Sequence, residues 1–350
     1  YTKTIENGDV PLRKINGSIM GYATDYRAND YVLMFEKGYW SFLAEVGDFK
    51  SEWNDTNSYG TSKYDQDNKY NRFSLNYNDG MNIGRIYYND SKKDYSMIGT
   101  TTYNNYKDSS VGLTFNRKQD IFGVSGIWGV DIKKDSSKFG GGSGNIPYDL
   151  SRTGFAPYIE ASVPIGEANL DLGLRYEYWN VDDGENVSEL IPRVSLNWAS
   201  SGGQVWYATA GRVFVMPSFY QMFLPMADED FGIWGKYTSL RNPNLKPEKG
   251  WTYDIGVKDE KAKHPWKISV FYMNINDKID YNSKYDALSN TTTSQYINLN
   301  EYRAWGIEGE YKHNFNENWS YKQGVAWTDA DEKMPGSDEW VRADAPRLDL

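Results

Sequence analysis

Apolar and polar side chains alternate along much of this chain with a period of two residues. The alternation is clearest at 170–178, where leucine and tyrosine hold the even positions while charged residues and glycine hold the odd ones. The same pattern recurs at 251–258 and at 305–311. Because successive side chains of a β-strand point to opposite faces, each segment is predicted to be a strand with one apolar and one polar face. Helical periodicity is scarce, so an all-β fold is predicted.

About sixteen strands are predicted in this way, far above the five or six of an average sheet. Several are longer than the strands of soluble sheets, as tilted strands that cross a bilayer must be. The predicted strands cover 13–24, 30–37, 39–52, 69–77, 81–89, 109–118, 121–133, 153–163, 168–180, 190–199, 204–214, 251–260, 266–280, 294–315, 318–330 and the residues from 345 onward.

Long and tight connections alternate along the chain after a short first link at 25–29. Long segments are predicted at 53–68, 90–108, 134–152, 215–250, 281–293 and 331–344, and the connections between them are shorter. Successive connections of a meander lie at opposite ends, so one end carries the long loops and the other the tight turns. This arrangement is typical of an antiparallel up-and-down β-barrel that crosses an outer membrane. A further hairpin at 95–103 would raise the number of strands to eighteen. A soluble sandwich or propeller is the alternative, but neither confines long loops to one end.

Composition excludes several classes of protein. The 350 residues include no cysteine and only two histidines, which excludes a disulfide framework, a thiolate zinc site, an iron–sulfur cluster and a histidine-rich metal centre. The net charge is −10 and no block of lysine and arginine occurs, so no nucleic-acid partner is expected. The mean hydropathy of −0.73 and the lack of a long apolar run predict no spanning helix, which is compatible with a barrel.

Three ordered motifs stand out in the sequence. The first joins a strand end with Arg212, Phe214 and Pro217 to an Asn-Pro box with Asn242, Pro243, Asn244, Leu245, Pro247 and Glu248; the second is a later strand with Tyr296, Ile297, Asn298, Gly306 and Glu308; the third is a strand pair with Gly173, Leu174, Arg175, Tyr176, Pro192 and Arg193. In these motifs the chain resembles the C-terminal half of TonB-dependent outer-membrane receptors. The prolines predict a rigid extended loop that serves as scaffold. Trp305 and Ile307 are expected to face lipid, with Glu308 and Glu310 facing the lumen.

The resemblance implies energised uptake of a scarce nutrient through an outer-membrane barrel of about 22 strands. The expected partners are the TonB–ExbB–ExbD energy-coupling complex, which acts through an N-terminal plug, a small-molecule ligand and outer-membrane lipid. Residues 1–350 are expected to be part of the barrel, with neither the plug nor the last strands among them. A ferric siderophore is the favoured ligand. Haem, cobalamin and a passive porin-like channel are the alternatives.

The histidines bear on two of these alternatives. Haem receptors of the family place an iron-binding histidine between two motif boxes, but no histidine occurs from 218 to 241. Haem therefore ranks below a siderophore, unless Tyr220 or Tyr237 ligates the iron as a phenolate. His264 and His313 lie next to tight turns at the expected periplasmic end, so neither serves an extracellular hydrolase. No enzymatic activity, resident cofactor or metal site is predicted.

Ligand capture is assigned to aromatic and cationic residues of the long segments. Such side chains stack on planar chelates and pair with carboxylates, although loop aromatics also pack loops together. Loop 134–152 is glycine-rich and is predicted to be a flexible lid. The candidate residues are Tyr220, Trp234, Tyr237 and Arg241 in 215–250, and Trp53, Tyr59 and Tyr64 in 53–68.

Overall fold

The computed structural model describes residues 2–15, 18–57, 60–98, 103–141, 147–223, 228–230, 232–343, 345 and 347–349. Nearly all of the described residues with regular secondary structure lie in β-strands. Among the described residues, no helix is long and apolar enough to cross a membrane.

Fifteen long strands form the main sheet, and their chain order is also their order in space. They are β1 Thr2–Ile15, β2 Ser18–Lys37, β3 Trp40–Asn57, β4 Gly60–Asn78, β5 Asn82–Met97, β6 Tyr103–Ile121, β7 Val124–Gly141, β8 Tyr148–Ile165, β9 Ala168–Val181, β10 Val187–Ala199, β11 Val205–Val215, β14 Glu248–Asp259, β15 Trp266–Asn276, β18 Glu301–Asn314 and β19 Ser320–Lys333.

Shorter elements complete the described fold. Two short strands pair with the outer edge of β19 and act as a split sixteenth strand. The others lie in the two longest connections. These elements are helix α1 Phe219–Met222, β12 Asp228–Asp230, the 3₁₀ turn Gly232–Trp234, β13 Lys236–Leu240, β16 Ile279–Asp286, β17 Thr291–Asn298, β20 Val341–Arg342 and β21 Leu348–Asp349.

Every neighbouring pair in the main sheet is antiparallel, as predicted for a meander. The β3–β4 ladder runs without a break from Trp40 opposite Tyr77 to Asn57 opposite Gly60. The sheet also curves, because seven consecutive wall strands, from β7 to β11 and then β14 and β15, line one cavity. Among the described residues, no ladder joins β1 to β20 or β21.

The connections separate into a turn end and a loop end. The turn end holds short links such as Phe122–Gly123, where both residues have positive φ as a type I′ hairpin requires. The loop end holds the long excursions 216–247 and 277–300. Both long excursions thus lie at one end as predicted, but the regular alternation of long and tight connections was wrong, because other connections at the loop end are also short, as between Asn57 of β3 and Gly60 of β4.

Much of the predicted loop sequence is nevertheless strand, and those predictions were wrong. Segments 53–68, 90–108 and 134–152 belong mostly to long hairpins that continue the wall at the loop end. Their side chains are polar on both faces, so they show no alternation. The backbone ladder continues regardless, because its hydrogen bonds do not depend on which side chains face water. Segment 281–293 is also mostly strand, in β16 and β17.

Other boundaries are corrected by the ladders. The link at 25–29 lies inside β2, and the hairpin at 95–103 is the tip of β5 and β6 and adds no strands. The predicted strand 13–24 spans the end of β1 and the start of β2, and 294–315 is divided into β17 and β18. Local pattern cannot locate a turn when the flanking residues are polar on both faces.

The two faces of the wall differ as the alternation predicts. On β9, Leu172 and Leu174 lie on an exposed apolar face that continues through Val194 of β10, the cross-strand neighbour of Leu172. The opposite face is polar, and there Arg175 donates to Asp131 at 2.6 Å. The apolar face is the one suited to lipid, and the polar face lines the concave interior.

The long connection 216–247 folds back onto the concave face. Helix α1 packs on strands β7–β9 and forms an apolar cluster with them at the loop end. The cluster consists of Phe139, Tyr148, Leu150, Val181, Phe219, Met222, Phe223, Leu245 and Ile279. A second sheet joins the two excursions, because β13 pairs in parallel with β17, which is antiparallel to β16.

Candidate functional site

A cavity of about 1270 Å³ lies on the concave face at the loop end, and we call it the loop-side cavity. Strands β3 to β8 supply its wall, while Ser218, Phe219 and Tyr220 close it from the side of α1. Its size is that of a large ligand pocket. The cavity therefore joins one part of excursion 216–247 to the strands that the sequence had assigned to loops.

Cations outnumber acids in this lining. Six lysine and arginine residues line the loop-side cavity against three aspartates, in a chain whose net charge is −10. Some of the cations are neutralised locally, since Arg72 pairs with Glu45 at 3.2 Å and Lys92 with Asp94 at 2.7 Å. The surplus makes the cavity attractive to anions.

Arg85 and Lys93 of β5 supply most of the available positive charge, and Lys69 of β4 adds to it. Within the described residues none of the three forms a salt bridge, and Arg85 lies 5.2 Å from the centre of the Tyr87 ring. Lys93 lies opposite Tyr106 in the β5–β6 ladder. Two exposed cations on one strand suit a ligand with several negative charges.

Tyrosines surround these cations. Tyr106 and Tyr148 line the cavity on the wall, and Tyr220 lines it on α1. Tyr220 is about half exposed and contacts the Tyr296 ring edge-on at 6.2 Å between ring centres. Partial burial raises the pKa of the Tyr220 phenol above its usual value, so this group stays neutral at physiological pH. The tyrosines thus offer flat surfaces and hydroxyl donors.

The candidates of segment 215–250 are placed differently from one another. Arg241 lies beside the loop-side cavity, with its guanidinium 5.9 Å from the centre of the Tyr148 ring. Burial lowers the pKa of Arg241, and its Nη2 donates to the carbonyl oxygen of Pro147 at 3.2 Å. Tyr237 is not among the cavity-lining residues. Its hydroxyl is 2.7 Å from that of Tyr281 in the second sheet.

The candidates of segment 53–68 form a separate aromatic stack. Trp53 and Tyr64 are cross-strand neighbours whose ring centres are 5.5 Å apart, and Tyr95 of β5 extends the stack at 5.6 Å from Tyr64. Tyr59 lies outside the described residues, as does the side chain of Trp234. Of the described candidates, Tyr220 lines the loop-side cavity and Arg241 lies beside it, whereas Tyr237, Trp53 and Tyr64 are not part of its lining.

The proline box is a structural brace. The turn at Pro243 and Asn244 directs Leu245 into the apolar cluster, and the backbone N–H of Asn242 donates to the Met222 carbonyl at 2.9 Å. Glu248, at the start of β14, accepts the backbone N–H of Ile279 at 2.7 Å.

A second motif residue completes this brace. The Asn298 side chain forms two hydrogen bonds with the backbone of Lys246. Its Oδ1 accepts the Lys246 N–H at 2.9 Å, and its Nδ2 donates to the Lys246 carbonyl oxygen at 2.9 Å. Pro247 follows directly, where no N–H is needed. Two motifs that are far apart in sequence are therefore held together by backbone contacts, as a scaffold requires.

The strand-end motif is also structural in its contacts. Arg212 of β11 donates to Glu189 at 2.5 Å, and Lys249 contacts the other oxygen of the same carboxylate. Phe214 lies opposite Lys249 in the β11–β14 ladder. Pro217 is fully buried where the chain leaves the wall for α1. These residues fix the base of excursion 216–247.

Gly306 and its neighbours behave as the alternation predicts. A Cβ atom at Gly306 would lie 2.6 Å from the Phe271 ring and 2.4 Å from the Trp327 carbonyl oxygen, so only glycine fits. Trp305 and Ile307 are exposed on the apolar face. Glu308 lines a polar recess on the other face, together with Lys267 and Glu310.

A second cavity of about 800 Å³ lies nearer the turn end, and we call it the turn-side cavity. Its lining carries three cations and four acids. Lys258 contacts Glu260 at 2.8 Å, and Asp171 accepts hydrogen bonds from Ser162 and Asn197. This lining therefore has no surplus of cations, unlike that of the loop-side cavity.

Both histidines lie at the turn end, outside both cavities. Their rings stack with 4.2 Å between centres, and the Asn314 N–H donates to Nδ1 of His264 at 3.2 Å. Among the described residues, no group of three histidine or acidic side chains is arranged to hold a metal ion.

Comparison with known proteins shows the family to which the chain belongs. A family model described as "TonB dependent receptor-like, beta-barrel" matches residues 8–347. The chain belongs to the TonB-dependent receptor family. It is an outer-membrane β-barrel protein of a Gram-negative-type bacterium, and its relatives are receptors and transporters rather than enzymes.

Individual relatives of the receptor are distant. The Vitamin B12 transporter BtuB of Vibrio cholerae is 24% identical over 315 residues, which are 85% of this chain and 46% of BtuB. The chain thus spans about half the length of the curated relatives it matches. The siderophore receptor PirA from Pseudomonas aeruginosa superposes with a TM-score of 0.69 at 12% identity, over 91% of this chain and 62% of PirA. The copper transporter OprC gives a TM-score of 0.70 at 12% identity, over 93% of this chain and 55% of OprC.

Sequence reasoning missed the residues that line most of the loop-side cavity. Arg85, Lys93, Tyr106, Tyr148 and Arg152 were not candidates, although four of them lie in segments assigned to loops. The alternation of the strands could have identified several of them. When β5 to β8 are extended along their ladders, every second residue continues to face the concave side, and several cavity-lining residues hold those positions.

Proposed function

We propose that the receptor takes up an anionic iron chelate of the siderophore class, which it captures in the loop-side cavity. The observation that carries this proposal is the pair of cations on β5, Arg85 and Lys93, which have no salt-bridge partner among the described residues and lie in a lining rich in tyrosine. Planar catecholate groups stack on tyrosine, and their negative charge pairs with lysine and arginine.

Uptake is proposed to draw energy from the TonB–ExbB–ExbD complex, acting through a plug as in the family. Membership of the TonB-dependent receptors supports this coupling over a passive channel. Haem stays less favoured, because no histidine lies in excursion 216–247. Cobalamin is the second candidate, since the BtuB relatives are vitamin B12 transporters.

Two chelates that differ in charge test the proposal. The intact protein is expressed in a host that lacks its own siderophore receptors, and binding of radiolabelled iron to outer membranes is measured. A trianionic ferric tris-catecholate should bind at least about tenfold more tightly than a neutral ferric tris-hydroxamate, with a gap that narrows as salt rises. Equal binding of both chelates, or binding of cyanocobalamin alone, would contradict the assignment.

The energy source is tested in the same cells. Uptake of the ferric tris-catecholate should stop when the host's tonB gene is deleted, whereas binding to the outer membrane should persist. Uptake that continues at the same rate without TonB would favour a passive channel.

The predicted ligand residues are tested by substitution. Tyr220→Ala, Trp234→Ala and Arg241→Ala should each weaken chelate binding by about tenfold or more, since anchoring aromatics and arginines carry most of a binding energy. Tyr237→Phe is the matched control, because it removes only the hydroxyl contact with Tyr281 outside the cavity. Unchanged affinity in all three alanine variants would overturn the site.

A further inference from the structure

Arg152 stands where the wall of the loop-side cavity meets helix α1. Its side chain is only 13% exposed, although it contributes to the cavity lining. Nη1 donates to the carbonyl oxygen of Pro217 at 2.6 Å, and Nε lies 3.4 Å from a carboxylate oxygen of Asp135. One guanidinium therefore joins strand β7 to the first residue before the helix cap.

The same guanidinium contacts two aromatic rings. Its central carbon is 5.1 Å from the centre of the Trp179 ring on the wall and 4.9 Å from that of the Phe219 ring on α1. A planar guanidinium can contact aromatic rings through its faces while donating hydrogen bonds at its edge, and the ammonium group of lysine cannot reproduce this arrangement.

These contacts fix the start of α1. The Ser218 hydroxyl caps the helix by accepting the Gln221 N–H, and the side-chain oxygen of Gln221 accepts the Ser218 N–H. The four-residue helix is too short to be stable alone, so its position depends on contacts with the wall. Because Pro217 and Phe219 flank the cap, Arg152 determines where the next residue, Tyr220, is placed.

We propose that Arg152 is a positioning residue of the ligand cavity: it holds Pro217 and Phe219 against the wall so that Tyr220 closes the cavity, and it acts on the ligand through α1. This inference rests on the proposed function for its ligand-binding consequence. Its structural consequence, the docking of α1, holds without any ligand.

Docking is measured with a cysteine reporter. Residues 1–350 contain no cysteine, so Met222→Cys adds one thiol at a buried position on α1, with any cysteine elsewhere in the intact protein changed to serine. Arg152→Gln and Arg152→Lys should both increase the rate of maleimide labelling at this thiol by at least about tenfold. Neither side chain has a planar guanidinium that can contact the two rings and donate to the Pro217 carbonyl oxygen at the same time.

Arg303→Gln is the matched control. Arg303 also stacks on a tryptophan, Trp340 at 4.0 Å, and pairs with Asp331 at 2.9 Å, but it belongs to β18 and does not contact α1. Labelling should stay at the parental rate in this variant. Slow labelling in Arg152→Gln, or its recovery in Arg152→Lys, would overturn the proposal.

A double-mutant cycle separates positioning from direct contact. With ferric tris-catecholate as the probe, Arg152→Gln and Tyr220→Ala should each weaken binding about tenfold, and the double variant should lose no more than either alone. A hundredfold loss in the double variant would show that Arg152 contributes independently, and the proposal would fail.

Folding and ligand identity are controlled separately. Each variant must keep the heat-modifiable gel migration of a folded barrel, and if Arg152→Gln does not, Phe219→Leu replaces it with the same expectations. If the native protein does not bind the chelate, the proposed function fails, while the labelling experiment still decides the role of Arg152.

Discussion

The two cavities of the concave face differ in how their charges are used. In the loop-side cavity, cations exceed acids and α1 closes one side. In the turn-side cavity, acids slightly exceed cations, and Lys258 pairs with Glu260. The concave face of one sheet thus carries a surplus of cations in one cavity and a slight surplus of acids in the other.

The net charge of the chain therefore does not describe the loop-side cavity. A chain with ten excess negative charges carries a local cationic surplus where a ligand would enter. Paired charges contribute little to the field at a distance, whereas Arg85 and Lys93 contribute fully. We therefore expect an anionic ligand to bind in the loop-side cavity rather than in the turn-side cavity.

The largest expected effect concerns the wall that carries both cavities. Gly306→Ala places a Cβ atom 2.4 Å from the Trp327 carbonyl oxygen and against the Phe271 ring, so β18 and its neighbours must shift. We expect a loss of about 3 kcal/mol in the free energy of unfolding. Denaturant titration of the barrel in lipid measures it.

Gly309→Ala is the control for that substitution. The nearest atom to a Cβ at Gly309 is 4.0 Å away, so the free energy of unfolding of this variant should lie within about 0.5 kcal/mol of the parent value. Equal stability of the two variants would show that the wall is not closely packed at Gly306.

Charge reversal tests the comparison between the cavities directly. Arg85→Glu combined with Lys93→Glu should weaken ferric tris-catecholate binding about hundredfold, which corresponds to about 2.7 kcal/mol, since two attractive contacts become repulsive. Lys267→Glu in the turn-side cavity should change affinity less than about twofold. Equilibrium binding to outer membranes reports both. A comparable loss in Lys267→Glu would remove the distinction between the cavities.

The smallest expected effect is a pH-dependent change in stability, which should be seen for a carboxylate at the turn end and not for one at the loop end. Hydrogen bonds from the Asn82 and Met81 N–H groups hold the pKa of Asp79 well below its usual value. A lowered folded-state pKa stabilises the fold above the unfolded value of 3.8, and that contribution is lost as the pH falls toward the folded value. Asp79→Asn should therefore lower the unfolding midpoint slightly at pH 6, with the gap closing in acid.

Asp286 is the matched group at the loop end. Hydrogen bonds from Ser289 and the Leu288 N–H lower its pKa as well. It lies in the second sheet, which can open without the wall, so Asp286→Asn should leave the barrel's unfolding midpoint unchanged at both pH values. A larger shift from Asp286→Asn than from Asp79→Asn would contradict this order.

The candidate site was predicted only in part, and the reason lies in the strands. Tyr220 and Arg241 were predicted because aromatic and cationic residues stand out in a long connection, and their role in ligand binding stays a prediction. Lys93 and Tyr106 were missed, because β5 and β6 are polar on both faces beyond the membrane and show no period of two. Trp53 and Tyr64 were found but stack with Tyr95 beside the cavity.

The all-β fold, the two faces of the wall, the separation of turn end from loop end and the family could all be predicted from the sequence. Each follows from local alternation or from short motifs, which need no knowledge of distant contacts. The packing of α1 against the wall, and the contact of Arg152 with Pro217 across 65 residues of chain, could not be predicted without the folded structure. Such contacts depend on strand registers and on the curvature of the sheet, and neither is written in any single segment.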